Sequence, residues 1–294
     1  MAKAKTAFVC NDCGADFPKW QGQCGECHAW NTLSEIRLSG PASKSATGRS
    51  TGRSGYAGTT ASVQRLEEVA VVDLPRLRSG FDEFDRVLGG GFVPGSSILI
   101  GGHPGAGKST LLLQTLCRLA AQQPALYVTG EESPEQIALR ANRLGLPTDQ
   151  LQLMAETDVD AILASAEALK PRVLVVDSIQ VVHSETLTSA PGSVSQVRDC
   201  AAQLTRYAKQ TGTVLILVGH VTKDGSLAGP KVLEHMIDCS ILLEGDHDSR
   251  FRTLRGQKNR FGAVNELGIF AMTDAGMREV TNPSAIFLDR SEHI

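Results

Sequence analysis

The sequence of 294 residues has no long hydrophobic run and no strong excess of charge of either sign. None of its apolar stretches approaches the roughly 18 consecutive apolar residues that a transmembrane helix requires, so we expect no membrane span. An apolar segment is also missing between the first lysines and the first cysteine pair, so we expect no secretory signal and a cytoplasmic location. The net charge of −3 excludes a histone-like protein that is basic throughout, but it is compatible with a local basic groove for DNA.

The seven cysteines lack the pattern of a secreted disulfide framework. Four of them form two close pairs: Cys10 with Cys13, and Cys24 with Cys27. This spacing predicts a structural zinc site with four thiolate ligands, and a redox-active pair or an iron–sulfur cluster is the alternative. The other three fall in predicted helices or strands, where we expect inert core residues: Cys117, Cys200 and Cys239.

Composition divides the chain into three regions. Residues 1–38 contain the paired cysteines and predict a small zinc module. Residues 39–67 are rich in Ser, Gly and Thr, with no acidic residue between 39 and 62, and predict a flexible linker because they bury too little apolar surface to offset their ordering entropy. Residues 68–280 predict a larger domain in which apolar runs alternate with helical patterns.

The pattern of this larger domain predicts an α/β fold with a mainly parallel central sheet flanked by helices. Runs rich in Val, Ile and Leu indicate buried strands at 96–101, 125–130, 151–155, 172–177, 213–219 and 239–244. Helical periodicity is found at 109–121, 134–144, 158–170, 195–210 and 230–238. Strands without in/out alternation, separated by helices, are typical of a sheet covered on both faces. Residues 250–257 and 264–271 predict shorter, antiparallel strands.

A phosphate-binding loop is the strongest functional signal. The motif comprises Gly102, His103, Pro104, Gly105, Ala106, Gly107, Lys108 and Ser109, followed by Thr110. It follows a predicted strand and begins a predicted helix, as a P-loop does. Its backbone N–H groups would surround the phosphates, Lys108 would contact the β and γ oxygens, and the Ser109 hydroxyl would ligate Mg²⁺. The motif therefore predicts an ATP–Mg²⁺ site.

Three further positions complete the predicted ATP site. Asp177 ends an apolar strand, where a carboxylate would hold Mg²⁺. Glu131 follows the strand 125–130, which we expect beside the P-loop strand, and is the predicted general base. Glu132 is the alternative base, and both carboxylates could instead cap the next helix. His220 follows a core strand and is predicted to sense the γ-phosphate, with a purely structural histidine as the alternative.

Loops and basic residues on the carboxyl side of the predicted strands are candidates for DNA contact. Residues 183–196 and 222–229 form small-residue loops, and Lys223 in the second suits a flexible polyanion. Lys258 and Arg260 form a basic turn. They predict either a solvated hairpin or a finger that contacts the γ-phosphate of a neighbouring subunit.

Motifs along the whole chain closely resemble those of the bacterial RadA (Sms) DNA repair family. They are the paired cysteines, SGFDEFDRVLGGGFVPGS, GGHPGAGKST, TGEES, VLVVDSIQ, TLTSAPGSVSQVR, GHVTKDG and KNRFG. The resemblance implies a RecA-like ATPase core in a homohexameric ring, with Lys258 and Arg260 linking subunits and DNA to ATP turnover. It also implies that the loops at 184–196 and 222–229 face the central channel. A C-terminal domain similar to the Lon protease fold would begin in residues 281–294.

The leading functional hypothesis is a DNA-dependent ATPase motor with ATP, Mg²⁺ and Zn²⁺ as cofactors. By its resemblance it would move on single-stranded and branched DNA and promote branch migration with RecA during recombination and repair. One alternative is a nucleotide-switched adaptor that binds a recombinase and DNA without movement. The other is a phosphotransferase similar to the RecA-like ATPases of the circadian clock.

Overall fold

A computed structural model of the chain describes residues 5–10, 15–38, 65–68, 75–220, 231–245 and 249–281. Most of the predicted linker, residues 39–64, lies outside these ranges, and so do Cys13 and Lys223. A search of the described helices finds none that combines the length and the apolar character of a membrane span.

The amino-terminal module is a small antiparallel sheet. Its three strands are β1 (Lys5–Cys10), β2 (Asp16–Phe17) and β3 (Leu33–Leu38), and β1 pairs with both of the others. Between β2 and β3 the chain forms a tight turn, in which Asn31 N donates to Gly22 O at 2.7 Å. This turn carries the second cysteine pair.

The main domain contains one nine-stranded sheet. Its strands are β4 (Ser97–Gly102), β5 (Ala125–Thr129), β6 (Gln152–Ala155), β7 (Val173–Asp177), β8 (Val214–His220), β9 (Cys239–Glu244), β10 (Phe251–Asn259), β11 (Leu267–Thr273) and β12 (Gly276–Glu279). They lie in the order β12-β11-β10-β9-β4-β8-β7-β5-β6. The pairs from β9 through β6 are parallel, and β10, β11 and β12 extend the sheet in antiparallel fashion.

Helices cover both faces of this sheet. They are α1 (Asp82–Leu88), α2 (Lys108–Ala120), α3 (Pro134–Arg143), α4 (Val159–Leu169), α5 (Val194–Thr211) and α6 (Lys231–Glu234), and a 3₁₀ turn precedes them at Leu66–Glu68. Side chains of α1, α2 and α3 share one apolar cluster, and those of α4, α5 and α6 share another. Alternate strand residues enter opposite clusters, as Ile98 and Leu99 do. The sheet is therefore buried on both sides, as the continuous apolar strands predicted.

Two sequence expectations about this domain are wrong. The strand β5 does not lie beside the P-loop strand β4, because β8 and β7 separate them. Strand order depends on the crossover connections, which local periodicity does not encode. Of the helix predicted at 230–238, the part within the described residues ends already at Glu234, and a turn continues the chain to the buried Asp238.

Asp238 anchors the amino ends of the central strands. Its carboxylate accepts from Ser97 N at 3.0 Å and from Lys209 Nζ at 3.1 Å to each oxygen. Arg260 Nη1 lies 3.3 Å from Oδ1. Since the Asp238 side chain is only 2% exposed, these donors replace the water that the carboxylate loses on folding.

We expect Asp238→Ala to lower the free energy of unfolding by about 3 kcal/mol, because it leaves Ser97 N–H and two cations without their shared acceptor. The matched control is Glu244→Ala, which breaks the half-exposed Arg255–Glu244 pair and should cost less than about 1 kcal/mol. Urea unfolding of both variants measures the difference. Equal costs would show that Asp238 is not an anchor.

Candidate active site

The P-loop joins β4 to α2 and is supported from behind by the antiparallel strands. Gly107 has φ 101°, and a Cβ there would lie 2.5 Å from the Met272 methyl and 2.7 Å from the Met277 methyl. Because φ is positive, a side chain at this position would strain the loop backbone, and the flexible ends of Met272 and Met277 would have to move. Arg252 on β10 donates from Nε to Ala106 O at 3.2 Å. Together these contacts fix the curvature of the loop.

Lys108 begins α2, and its ammonium lies inside the curve of the loop. Nζ donates to Gly102 O at 2.8 Å and to His103 O at 3.1 Å, and it lies 3.5 Å from His220 Nδ1. Burial lowers the pKa of Lys108, while the nearby carboxylates of Asp177 and Glu131 oppose that shift. The cation is thus placed where a P-loop lysine contacts phosphate.

Asp177, at the end of β7, receives two hydroxyl groups on one carboxylate oxygen. Ser109 Oγ donates to Oδ2 at 2.7 Å, and the hydroxyl of Tyr127 donates to the same oxygen at 2.6 Å. Burial, followed by the Asp177 charge, raises the pKa of Tyr127 well above its ordinary value, so Tyr127 remains a donor. Two adjacent oxygens of this kind, from Ser109 and Asp177, fit the hard-oxygen ligand set of Mg²⁺.

The two adjacent glutamates after β5 have different partners. Glu131 Oε1 accepts from Ser178 Oγ and lies 3.2 Å from His220 Nε2. Glu132 forms an ion pair with Arg140 on α3. Neither caps α3, because Ser133 is the N-cap and forms a capping box with Gln136. Although β5 is three strands from β4, its loop brings Glu131 to the P-loop lysine.

These side chains surround one cavity of about 280 Å³ at the carboxyl ends of the parallel strands. Its walls are the P-loop from Pro104 to Thr110 together with Thr129, Glu131, Glu132, Arg140, Asp177 and His220. The volume is close to the lower end of the roughly 300–1,000 Å³ found for ligand sites. Open parallel sheets place ligands at this edge.

The structure adds three residues to the site that sequence reasoning missed or assigned differently. Tyr127 was treated only as a strand residue, and Arg140 only as part of a helix. Ser178 directly follows Asp177, and its hydroxyl donates to Glu131. The only sequence signal for Tyr127 is a hydroxyl in an otherwise apolar strand, since a buried tyrosine hydroxyl needs a partner.

Lys258 and Arg260 lie at the opposite edge of the sheet. Asn259 pairs with Cys239, and Cys239 pairs with Ile98, near the amino end of β4. Lys258 Nζ donates to Ile237 O at 2.8 Å and also to Glu234 O, and burial followed by the Arg260 charge lowers its pKa. The basic turn is therefore remote from the P-loop of its own chain.

The predicted zinc ligands that the structure describes lie together. The sulfurs of Cys10, Cys24 and Cys27 are all within 4.8 Å of one another, and the Cys10 and Cys27 sulfurs are 3.6 Å apart. Tetrahedral zinc with Zn–S bonds of about 2.3 Å places sulfurs about 3.8 Å apart. The spacing fits zinc, and the fourth predicted ligand, Cys13, lies outside the described residues.

The remaining cysteines behave as core residues. Cys117, Cys200 and Cys239 are buried. Burial raises the pKa of Cys117 to about 11 and that of Cys200 and Cys239 to about 12. Thiols with such pKa values are poor nucleophiles at neutral pH, which agrees with the expected inert role.

Comparison with known proteins gives matches over the whole chain. Residues 62–226 match the AAA domain family, and residues 8–35 match the rubredoxin metal binding domain family. The second match is to a zinc-ribbon model, and together with the cysteine cluster it supports zinc as the metal.

The relatives of this chain include several named DNA repair protein RadA. The protein of Escherichia coli (strain K12) is 64% identical over 100% of this chain, and that of Haemophilus influenzae is 65% identical over 100% of it. The protein of Bacillus subtilis (strain 168) is 47% identical over 98%. The chain spans 64%, 64% and 62% of the length of these relatives, respectively. It therefore belongs to the AAA domain family, and over its own length it is similar to the proteins named DNA repair protein RadA.

Proposed function

We propose that this chain hydrolyses ATP and couples the reaction to movement on DNA. The observation that carries the hydrolytic part is the convergence at one cavity of a phosphate-binding lysine, a serine–aspartate pair and a carboxylate. Lys108 and Ser109 on α2, Asp177 at the end of β7, and Glu131 in the loop after β5 lie there on three different elements. A P-loop ATPase needs this combination of a cation, a metal-binding pair and a group that orients water.

In the proposed reaction Lys108 neutralises charge on the β and γ phosphates, and Ser109 with Asp177 would hold Mg²⁺. The metal, when bound, supplies positive charge to the same phosphate oxygens. Glu131 accepts a proton from water as the water oxygen bonds to the γ-phosphorus, and the bond from that phosphorus to the bridging oxygen breaks. ADP and inorganic phosphate are the products.

His220 connects the proposed base to the P-loop. Its Nδ1 faces the Lys108 ammonium and therefore accepts, so the neutral ring carries its proton on Nε2 and donates to Glu131. Phosphate binding at Lys108 would alter both contacts. Because His220 is the last residue of β8, we propose that it relays the state of the nucleotide to the residues that follow it in the chain, which include Lys223 and lie outside the described residues.

A neighbouring chain would complete the site. Near the amino end of β4, the basic turn is about 13 Å along the strand from Gly102, at about 3.3 Å per residue. The Arg260 side chain is 51% exposed there. We propose that Lys258 or Arg260 contacts the γ-phosphate of the next subunit in a homohexameric ring, with the loops at 184–196 and 222–229 facing DNA in its channel.

The proposed biological role is movement on single-stranded DNA that promotes branch migration with RecA. Its support is the similarity of the chain to the proteins named DNA repair protein RadA. The test is ATP-dependent displacement of streptavidin from biotinylated single-stranded DNA. Displacement by the chain, and its loss in Lys108→Ala, is expected of a motor. DNA binding without displacement would support the adaptor hypothesis, and a stable phosphoserine or phosphothreonine would support the phosphotransferase.

We expect Glu131→Gln to lower kcat for ATP hydrolysis by about 10²–10⁴-fold, the usual contribution of a general base. Glu132→Gln should lower it by less than about tenfold, because Glu132 pairs with Arg140 and does not contact the reacting groups in this assignment. Phosphate release measures turnover, and fluorescent ATP binding confirms that both variants retain the nucleotide. A larger loss in Glu132→Gln would reverse the assignment.

Subunit mixing tests the action of the basic turn in trans. Glu131→Gln and Arg260→Ala chains should each be nearly inactive, since a trans finger contributes about 10³–10⁵-fold. An equimolar mixture should regain activity, because some interfaces combine an intact base with an intact arginine. The matched control is a mixture of Glu131→Gln with Lys108→Ala, in which every nucleotide site carries a defect. Recovery in neither mixture, or in both, would contradict the assignment.

The amino-terminal module is proposed to hold one structural zinc through Cys10, Cys13, Cys24 and Cys27. Inductively coupled plasma mass spectrometry should therefore find one zinc ion per purified chain. The metal should be lost in Cys24→Ser, because Cys24 is buried at the centre of the cluster. Cys117→Ser is the control and should retain the metal. Iron in place of zinc, or no metal, would favour the cluster or redox alternatives.

A further inference from the structure

Both tryptophans of the chain lie exposed on the zinc module. Trp20 is 57% exposed and Trp30 is 69% exposed. Tryptophan is usually well buried in folded proteins, because its indole is the largest apolar side chain. Among the described residues of the module, these two are the large apolar side chains that remain exposed. Their exposure therefore calls for a functional explanation.

The two indoles border the same small surface. A Cβ on Gly22 would lie 3.7 Å from Trp30 Cζ3 and 3.9 Å from Trp20 Cη2, so both rings approach one point above this glycine. The backbone beneath is held by a bridge between Gln23 and Trp30 and by the bond from Asn31 N to Gly22 O. Gln23 Nε2 also donates to His28 O at 2.8 Å. The rings are thus presented on a short, hydrogen-bonded turn.

Exposed polar residues, one of them cationic, are next to these tryptophans in the chain. Lys19 is exposed beside Trp20, and the exposed Asn31 follows Trp30. Between residues 17 and 32 the only acidic residue is Glu26. The indole rings could stack on flat rings of a ligand, the amide side chains could bond to its polar edges, and the lysine could pair with its negative charge. That description is the chemistry of single-stranded nucleic acid.

From this surface we infer a second contact for single-stranded DNA, in which bases stack on Trp20 and Trp30 and Lys19 lies near a phosphate. Stacking tolerates any base sequence because every base has a π face. The inference rests on the proposed function in one respect: it takes single-stranded DNA to be the polymer that the protein binds. It adds a contact outside the ATPase domain, in a module whose only assigned role so far is to hold zinc.

Intrinsic fluorescence reports this contact directly, because the chain has no other tryptophan. We expect saturable quenching when the full chain is titrated with an oligonucleotide of thymidines. An abasic chain of the same length should give little quenching, since it offers phosphates without bases. Equal quenching by both would overturn the inference, because it would show that the phosphate charges account for binding without base stacking. Quenching by RecA protein and not by DNA would overturn it in favour of a protein partner.

Matched variants give the energetic test. Trp20→Ala and Trp30→Ala should each weaken oligonucleotide binding by about 5- to 150-fold, which corresponds to the stacking of one base. Trp20→Phe should restore much of the affinity because the ring is retained. Zinc content, measured in each variant, verifies that the module remains folded. Unchanged affinity in both alanine variants with zinc retained would overturn the inference.

Stimulation of ATP hydrolysis by single-stranded DNA separates this inference from the proposed function. DNA could stimulate ATP hydrolysis without quenching tryptophan fluorescence, while the alanine variants bind the oligonucleotide as tightly as the unmodified chain. In that case the inferred DNA contact on the zinc module is wrong and the motor assignment stands. If DNA quenches tryptophan but leaves hydrolysis unchanged, the second contact stands and the motor assignment is wrong.

Discussion

One oxygen of the Asp177 carboxylate organises the candidate active site. It accepts hydrogen bonds from the hydroxyl of Ser109, on the helix after the P-loop, and from the hydroxyl of Tyr127, on the neighbouring strand. Both bonds form only when α2, β5 and β7 are correctly placed relative to one another. The next residue, Ser178, contacts Glu131. The proposed metal-binding pair and the proposed general base are therefore connected through two consecutive residues at the carboxyl end of one buried strand. A change in strand register at β7 would disturb all of them together.

The carboxyl edge and the amino edge of the same sheet carry the two groups of residues that the proposed intersubunit ATPase site combines. The carboxyl edge presents the P-loop cavity, while the amino edge presents the basic turn, anchored on Asp238 beside Ser97. The rigid sheet fixes the separation between Lys108 and Arg260 within a chain, so the two can meet only across an interface. In the proposed ring, ATP turnover would thus depend on how neighbours pack, and DNA in the channel could regulate it through that packing.

Local chemistry determined what could be predicted from the sequence. The P-loop, Asp177 and the cysteine pairs carry their function in contiguous residues, and buried strands such as β4 have a distinctive composition. Strand order, by contrast, is a tertiary property, and so the position of β5 was predicted wrongly. Tyr127 gave only one signal, a hydroxyl in an apolar strand, and its partner could not be identified because Asp177 lies 50 residues away in the chain. The exposure of Trp30 was equally hidden, since a sequence does not state which large apolar side chains remain outside the core.

We propose above all that DNA controls ATP hydrolysis at this cavity. The most direct test is the steady-state rate of ATP hydrolysis by the 294-residue chain with and without single-stranded DNA, beside Lys108→Ala as the control. We expect a clear increase in rate with DNA in the unmodified chain, and no ATP hydrolysis above background with or without DNA in the variant. An equal rate with and without DNA, in a chain shown to bind both ATP and DNA, would contradict this proposal.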